Sequence, residues 1–159
     1  MVRKYIFGEP IETDAVVKEL ASSAWSDGVF QKKEDGFHYS LKEDEIVYGL
    51  GENVRGINKR GWRYISNCSD NPNYCENTNS LYGAHNFIMV GDGVHETYGL
   101  FVDTPGRVTF DIGYTDIDDL CISMEEENYK IYLIEADSYS NVVKEFRELI
   151  GRSYIAPRW

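Results

Sequence analysis

The segment from Ser66 to Phe87 is rich in short polar side chains. It reads SNCSDNPNYCENTNSLYGAHNF and contains Asp70 and five Asn between positions 67 and 79. Asp and Asn offer hydrogen-bond acceptors, and Asn also donors, on side chains that lose little entropy when fixed. Polar loops longer than roughly 12–15 residues are uncommon in compact domains and are mostly functional or disordered. The pattern alone leaves both alternatives open.

Groups for acid–base or nucleophilic chemistry form no recognisable set. His38, His85 and His95 lack metal-ligand spacing, and each is interpreted as an ordinary strand or turn histidine. No Ser-His-Asp order and no G-x-S-x-G motif occurs. Carboxylates are plentiful, but the acidic turns single out no pair that must face one another. We predict no catalytic residue, no metal and no cofactor in this chain.

The three cysteines also lack a functional pattern. Cys68, Cys75 and Cys121 form an odd set without C-x-x-C, which gives no support to a metal or redox motif. Cys68 and Cys75 could pair, but reduced thiols are expected in a cytosolic protein. The first ten residues hold too few apolar side chains for a signal peptide, and no apolar run reaches the roughly 18 residues of a membrane span. We therefore expect a cytoplasmic location and no membrane contact.

Two further motifs are interpreted structurally. The segment 49–52, GLGE, lacks the third Gly and the following helix of a dinucleotide fingerprint, so we predict a strand that leaves its sheet through a glycine bend. The run Glu125–Glu127 is expected to form a solvated hairpin tip.

Composition favours one β-rich domain. The chain has 159 residues, of which 42% are hydrophobic and 27% charged, as in ordinary globular proteins. Aromatic residues reach 14%, led by 12 Tyr, and Tyr favours half-buried strand surfaces. The net charge of −11 disfavours nucleic-acid binding but leaves neutral ligands unaffected.

The elements that must position these residues are mainly strands. Short alternating or β-branched runs recur every 8–12 residues with turn residues between them, which predicts an all-β sandwich or barrel. The predicted strands are 2–7, 36–41, 45–48, 61–65, 86–90, 97–102, 107–112, 120–124 and 129–134. A helix is predicted over 138–151, capped by Asp137 or Ser138 and ended by Gly151, whereas 14–20 could be helix or strand.

Three segments, taken in order, resemble family 31 glycoside hydrolases. YGLGENVRGINKRGWRYISNCSDNPNYCENTNSLYGAHNFIMV is similar to the family's G-x-G-E, basic "krG" stretch, polar Asp-containing loop and following strand. YGLFVDTPGRVTFDIG is similar to its next hairpin, and IGRSYIAPRW to its junction with the catalytic barrel. The resemblance covers roughly Tyr48 to Trp159, while the first 45 residues match only in being rich in strands.

The resemblance implies a fold for this chain and places the catalytic residues in a separate domain. The fold would be a galactose-mutarotase-like antiparallel β-sandwich with a C-terminal helix leading to a (β/α)₈ barrel that this chain lacks. In the family the nucleophile and the acid/base are Asp residues of that barrel, one in a W-x-D-M-type motif, and neither motif occurs here. This chain alone is therefore expected not to hydrolyse anything, although its parent would be an α-glucosidase-type glycosidase.

The resemblance also assigns a role to the polar loop. In the family this loop helps to wall the sugar pocket, and an Asp in it hydrogen-bonds sugar hydroxyls. Asp70 occupies that position, and we predict substrate contacts from Asp70, Asn71 and Asn73. The sequence departs from the family by lacking a Trp or Phe before the Asn. Without the resemblance Asp70 would be interpreted as a turn-capping residue, and Glu52 and Arg60 are interpreted as structural.

The predicted domains are a sandwich over 1–136 and a helix with linker over 137–159. A chain ending on Trp159 suggests a cut at a domain boundary, with the barrel of the same polypeptide as partner and an α-glucoside or oligosaccharide as substrate. The sequence does not decide whether the chain forms homo-oligomers through the surface that the barrel would cover. Two alternatives are also kept, a free-standing carbohydrate-binding module using Trp25, Trp62 and Tyr82, and an aldose-epimerase-like enzyme.

Overall fold

The computed structural model describes residues 1–156, which form two β-sheets and one helix. The alternation of apolar and polar residues in each run places one face of every long strand in the interior. The strands are β1 Val2–Phe7, β2 Ser22–Ser23, β3 Gln31–Lys33, β4 Gly36–Ser40, β5 Ile46–Gly51, β6 Trp62–Ser66, β7 Ala84–Gly91, β8 Thr97–Asp103, β9 Val108–Ile112, β10 Asp119–Met124 and β11 Tyr129–Ala136, and the helix is α1 Tyr139–Ile150.

The chain passes repeatedly from one sheet to the other. The first has the strand order β2-β1-β11-β8-β7-β5, and the second has the order β3-β4-β10-β9-β6. All pairs are antiparallel except β1 with β2. Six connections within residues 1–156 cross from one sheet to the other, namely β2–β3, β4–β5, β5–β6, β6–β7, β8–β9 and β10–β11. The polar loop is the β6–β7 connection, so both sheets fix its ends.

The core lies between the inner faces of the sheets. Each fully buried aliphatic or aromatic side chain there stabilises the fold by roughly 1.5–3 kcal/mol. The first sheet contributes Val47, Ile88, Leu100 and Ile131, and the second contributes Phe37, Phe110, Leu120 and Ile122. The predicted antiparallel sandwich is confirmed.

Helix α1 covers part of the outer face of the first sheet. Ser138 caps it by accepting a hydrogen bond from the Asn141 backbone N–H, and the helix ends at Gly151 as predicted. Val142 and Leu149 are fully buried. The ring of Phe146 stacks on that of Phe87 in β7 with centroids 3.8 Å apart. The apolar stripe of the helix thus completes the burial of a sheet face that would otherwise meet solvent.

Several local predictions were wrong. Residues 14–20 form neither helix nor strand, because the Val17 and Lys18 amides bond the Leu149 carbonyl at the end of α1. The short edge strands β2 and β3 have no apolar alternation and were missed. Residues 125–127 are exposed, but they join β10 to β11 across the two sheets and do not form a hairpin tip.

The expectations on membrane spans and on the barrel junction can be compared with the described residues only. No helix within residues 1–156 is long and apolar enough to cross a membrane. The motif APRW at the predicted barrel junction falls largely on Pro157–Trp159, outside the described residues. The division at 136/137 between sandwich and linker stays a prediction.

Candidate functional site

The polar loop, residues 67–83, is held in place by hydrogen bonds to its own base. The Ser80 hydroxyl donates to the Asn67 carbonyl at 2.6 Å. The Ile65 amide donates to the Asn79 carbonyl, and the Ser69 amide to the Leu81 carbonyl, both at 3.1 Å. Leu81 is buried and anchors the returning arm of the loop. The loop therefore has a defined neck, which favours the functional alternative over disorder.

Arg55 clamps the outer part of the loop. Its Nε donates to the Glu76 carbonyl and its Nη1 to the Arg63 carbonyl, both at 2.9 Å. The guanidinium carbon lies 4.1 Å from the ring centroid of Trp62, a favourable cation–π arrangement. Sequence reasoning missed Arg55 because its hydrogen-bond partners are mainly backbone carbonyls, which leave no residue-type signal.

Asp70 stands exposed on the loop and is paired with Tyr82. The Tyr82 hydroxyl donates to Asp70 Oδ1 at 2.7 Å, and this hydrogen bond raises the pKa of Tyr82. Asp70 Oδ2 has no hydrogen-bond partner within residues 1–156. One carboxylate oxygen of this exposed residue is thus positioned by Tyr82, and the other is available to a ligand. The pairing spans the loop and goes beyond a turn-capping Asp.

Asn71 and Asn73 lie beside Asp70 at the tip of the polar loop. The Asn73 amide donates to Asn71 Oδ1 at 3.1 Å, which forms a local turn. Asn71 is half-buried and Asn73 exposed. The structure therefore brings Asp70, Asn71 and Tyr82 onto one polar tip with Asn73 beside it. Whether Asp70, Asn71 and Asn73 bind a substrate stays a prediction.

Glu52 and Arg60 have the structural roles expected of them. The Glu52 amide donates to the Gly83 carbonyl at 2.8 Å, and the Gly83 amide donates to Glu52 Oε2 at 3.1 Å, so the far end of the loop is tied to the end of β5. Arg60 donates to the carbonyls of Lys42, Glu45 and Ile117 in two neighbouring turns. Both side chains therefore make contacts within the domain.

The three aromatic residues proposed as a sugar platform differ in their availability. Trp25 packs edge-on against Tyr5 and Phe37, with ring centroids 4.8 Å apart in both pairs. Trp62 is covered by the guanidinium of Arg55. Tyr82 is half exposed on the loop. The three rings therefore do not offer one shared open face, because Trp25 packs on core rings and Trp62 is covered by Arg55.

A groove of about 360 Å³ runs beside the loop, and its lining is polar and aromatic. The lining residues are Arg55, Trp62, Arg63, Asn77, Asn79 and Tyr114. It is a second surface of the loop that could accept a polar ligand.

A separate polar cluster lies on the outer face of the second sheet. His38 is buried, with Nδ1 2.8 Å from Asp119 Oδ2 and Nε2 2.9 Å from Asp35 Oδ1. The hydrogen bond with His38 lowers the pKa of Asp35. Burial raises the pKa of the nearby Cys121 thiol to about 11. His38 lies in strand β4, as a strand histidine was expected to, but the sequence did not reveal its partner Asp119, which is 81 residues away and meets it through strand pairing.

All three cysteines are free thiols, as the sequence favoured, and Cys68 and Cys75 are not paired. They do not cross-link the polar loop, whose shape rests on hydrogen bonds and on Leu81 alone.

Comparison with known families decides the identity of the fold. A family model described as "Glycosyl hydrolase 31 N-terminal galactose mutarotase-like domain" matches residues 8–111, more than half of the chain, including the whole polar loop. The chain belongs to this family. The resemblance inferred from the motifs at 48–90 and 98–113 and the mutarotase-like sandwich are therefore confirmed.

Relatives of this family 31 domain are long enzymes. The chain is 30% identical over 121 residues to an alpha-glucosidase of Saccharolobus solfataricus, covering 76% of this chain and 17% of the relative. It is 30% identical over 122 residues to the alpha-xylosidase XylQ of Lactiplantibacillus pentosus, covering 76% of this chain and 15% of the relative. The chain spans about a sixth of the length of the curated relatives it matches.

Solved structures agree with the family 31 assignment. A dextranase of glycoside hydrolase family 31 from Flavobacterium johnsoniae superimposes with a TM-score of 0.70 and 25% identity, covering 85% of this chain and 16% of that chain. A cycloalternan-degrading enzyme from Trueperella pyogenes gives a TM-score of 0.71 at 22% identity, covering 86% and 23%, and supports the fold alone. The chain is thus an N-terminal domain of family 31 glycosidases, of which it makes up a small part.

Proposed function

We propose that this chain is the non-catalytic N-terminal domain of an α-glucosidase-type retaining glycosidase. In this role it supports a catalytic (β/α)₈ barrel in the same polypeptide and supplies one wall of the substrate pocket. The observation that carries the proposal is Asp70, which is exposed on an anchored loop, oriented by Tyr82 and left with one free carboxylate oxygen.

The chemistry of the loop tip suits a sugar. A sugar hydroxyl both donates and accepts hydrogen bonds, so Asp70 Oδ2 can accept from it while the amide nitrogens of Asn71 and Asn73 can donate to it. The neck and the Arg55 clamp hold the tip before binding, which reduces the entropy that ordering would cost. A loop from a second domain also narrows an open barrel mouth into a pocket.

The substrate class follows from the relatives. Their names are alpha-glucosidase, alpha-xylosidase and dextranase, all of which act on glycosides. We assign an α-glucoside or a related oligosaccharide as the substrate of the parent enzyme. Linkage preference would depend on barrel residues as well as on Asp70.

The proposal is tested on the polypeptide that carries this domain ahead of its barrel. Asp70→Ala should lower kcat/KM for an α-glucoside roughly 10- to 100-fold, since a hydrogen bond from a sugar hydroxyl to a carboxylate is lost. Asp44→Ala, which removes an exposed carboxylate from the β4–β5 turn, is the matched control and should leave kcat/KM unchanged. Equal kcat/KM for both variants, or a reading frame with no barrel after residue 159, would overturn the proposal.

A free-standing carbohydrate-binding module is the second candidate. The half-exposed Tyr82 and the groove beside the loop are the observations that favour it. Calorimetric titration of the 159-residue chain with maltose-type oligosaccharides separates the two functions. Binding tighter than about 1 mM by the chain alone favours the module, whereas binding seen only with a barrel present favours the pocket wall. Catalysed interconversion of α and β sugar anomers would instead support the epimerase-like alternative.

We also propose a cytoplasmic location. The free thiols Cys68 and Cys75 are both exposed, and exposed unpaired thiols are typical of reducing compartments. Fractionation of the native host tests this, because recovery of the protein in a secreted or surface fraction would contradict it.

A further inference from the structure

Strand alternation places a polar row across the outer face of the second sheet. The inward neighbours in these strands, such as Phe37 and Leu120, are fully buried in the core. The next residue in each strand must therefore face outward. Register aligns these outward residues directly across four strands, as His38 in β4, Cys121 in β10, Asp111 in β9 and Arg63 in β6.

The ring of His38 is held in one orientation within this row. Asp119 Oδ2 lies 2.8 Å from Nδ1 and Asp35 Oδ1 lies 2.9 Å from Nε2, so the two carboxylates fix the ring with Nε2 facing Asp35. The ligand atoms of Asp35, His38 and Cys121 all lie within 4.8 Å of one another. A carboxylate on the distal nitrogen of a histidine is the usual support of a metal-bound imidazole.

We propose that Asp35, His38 and Cys121 form a zinc-binding site, with Asp119 orienting His38. Imidazole nitrogen, thiolate sulfur and carboxylate oxygen are the three ligand types that zinc accepts in proteins. This site belongs to the domain itself and is independent of the proposed sugar pocket.

The geometry needs only a small adjustment to accept the ion. Zinc bonds of about 2.0–2.3 Å in a tetrahedron place ligand atoms about 3.3–3.8 Å apart. His38 Nε2 and Asp35 Oδ1 are 2.9 Å apart and must separate, whereas any pair of ligand atoms near the 4.8 Å limit of the cluster must move closer by about 1 Å. Asp35 can move because it lies exposed at the β3–β4 turn, whereas His38 and Cys121 are fixed by paired strands.

The surroundings favour a cation. Asp111 and Asp116 also line the cavity above the row, and the charge of Arg63 is already paired with Asp111 at 2.7 Å. Zinc binds cysteine as the thiolate, so binding at Cys121 would release the thiol proton to solvent. The cavity of about 500 Å³ leaves room for a water or a solute as fourth ligand.

Cobalt substitution tests the site on the 159-residue chain. Metal-free protein is titrated with Co²⁺, and a thiolate-to-cobalt charge-transfer band should rise to one equivalent and disappear when Zn²⁺ is added. Cys121→Ser should abolish the band and weaken zinc binding by at least about tenfold. Asp119→Asn, which removes only the orienting carboxylate, should weaken zinc binding about 10- to 100-fold.

Two further variants are controls for misfolding and for metal binding by the exposed cysteines. Asp35→Asn keeps a side-chain oxygen beside His38 Nε2 at an exposed turn, so the metal-free variant should stay folded with only a small loss of thermal stability, and it should still weaken zinc binding. The double variant Cys68→Ser with Cys75→Ser removes the exposed thiols and should keep the band. The proposal is overturned if the wild-type chain shows no band, or if the band survives Cys121→Ser and is lost in the double variant.

Discussion

At the scale of single residues, the loop and turns depend on side chains that bond the backbone. Arg55 and Arg60 donate to carbonyls of segments far from them in sequence, and Glu52 accepts from the Gly83 amide. A typical hydrogen bond of this kind contributes about 0.5–1.5 kcal/mol net to stability. The shape of the candidate site is therefore set by residues outside the predicted binding set.

Asp111 provides a test of these residue-scale interactions through pH. Burial raises the pKa of Asp111, but hydrogen bonds from Thr115 and Arg63 outweigh it and leave the pKa below its ordinary value. A depressed pKa adds stability above the unfolded value of about 3.9, and that stability is lost as pH falls through the folded pKa.

We therefore expect Asp111→Asn to lower the free energy of unfolding at pH 7 by about 1–3 kcal/mol. The variant should also lose less stability than the wild type as the pH falls from 5 toward 2, measured by urea unfolding. Asp44→Asn, with its exposed side chain, should follow the wild-type profile. Parallel profiles for wild type and Asp111→Asn would show that the ion pair has no part in acid unfolding.

At the scale of elements, the bulge at the end of β5 directs the chain toward the loop. Gly49, Leu50 and Gly51 all have positive φ, at 125°, 68° and 69°, and the pairing with β7 shifts register there. A Cβ on Gly49 would lie 2.2 Å from the Phe87 carbonyl oxygen. Only Gly fits that position, which is why the sequence allowed the bend to be predicted from its GLGE motif.

Gly49→Ala should destabilise the domain by more than about 2 kcal/mol, because both the φ value and the contact with Phe87 are incompatible with a side chain. Thermal and urea unfolding measure the effect. Gly56→Ala is the control, since a Cβ there meets nothing within 4 Å, and its stability should change by less than about 0.5 kcal/mol. Equal stabilities of the two variants would mean that the bulge relaxes freely.

At the scale of the whole molecule, the helix and the sandwich share buried surface. Val142 and Leu149 of α1 are fully buried, and Phe146 stacks on Phe87 of the first sheet. The carbonyl of Leu149 also accepts from the Val17 and Lys18 amides near the N-terminus. These contacts tie both ends of the described chain to one outer face.

We expect α1 to unfold together with the sandwich. Native-state hydrogen exchange should give central amides of α1 the same opening free energy, within about 1 kcal/mol, as amides of β11. If residues 137–159 were only a helix and linker separate from the sandwich 1–136, the amides of α1 should instead open at a lower free energy than those of β11. Helix amides that open at a much lower free energy than β11 would support that division.

The sequence by itself determined the class of fold and the family. Strand periodicity needs only local residue types, so 2–7, 97–102 and 129–134 were predicted nearly as they occur, and the GLGE bend and the capped helix likewise follow from nearest neighbours. The motifs around residues 48–113 then led to the family 31 domain, and they placed Asp70 on the polar loop.

Only the tertiary structure decided which polar side chains meet. Asp70 reaches Tyr82 across a loop, Arg55 reaches carbonyls 8 and 21 residues away, and His38 meets Asp119 through strand register. A sequence specifies periodicity within one element, whereas contacts between side chains of distant segments depend on which strands pair and in which register. That is the physical reason that the cluster of Asp35, His38 and Cys121 was invisible before the sheets were assembled.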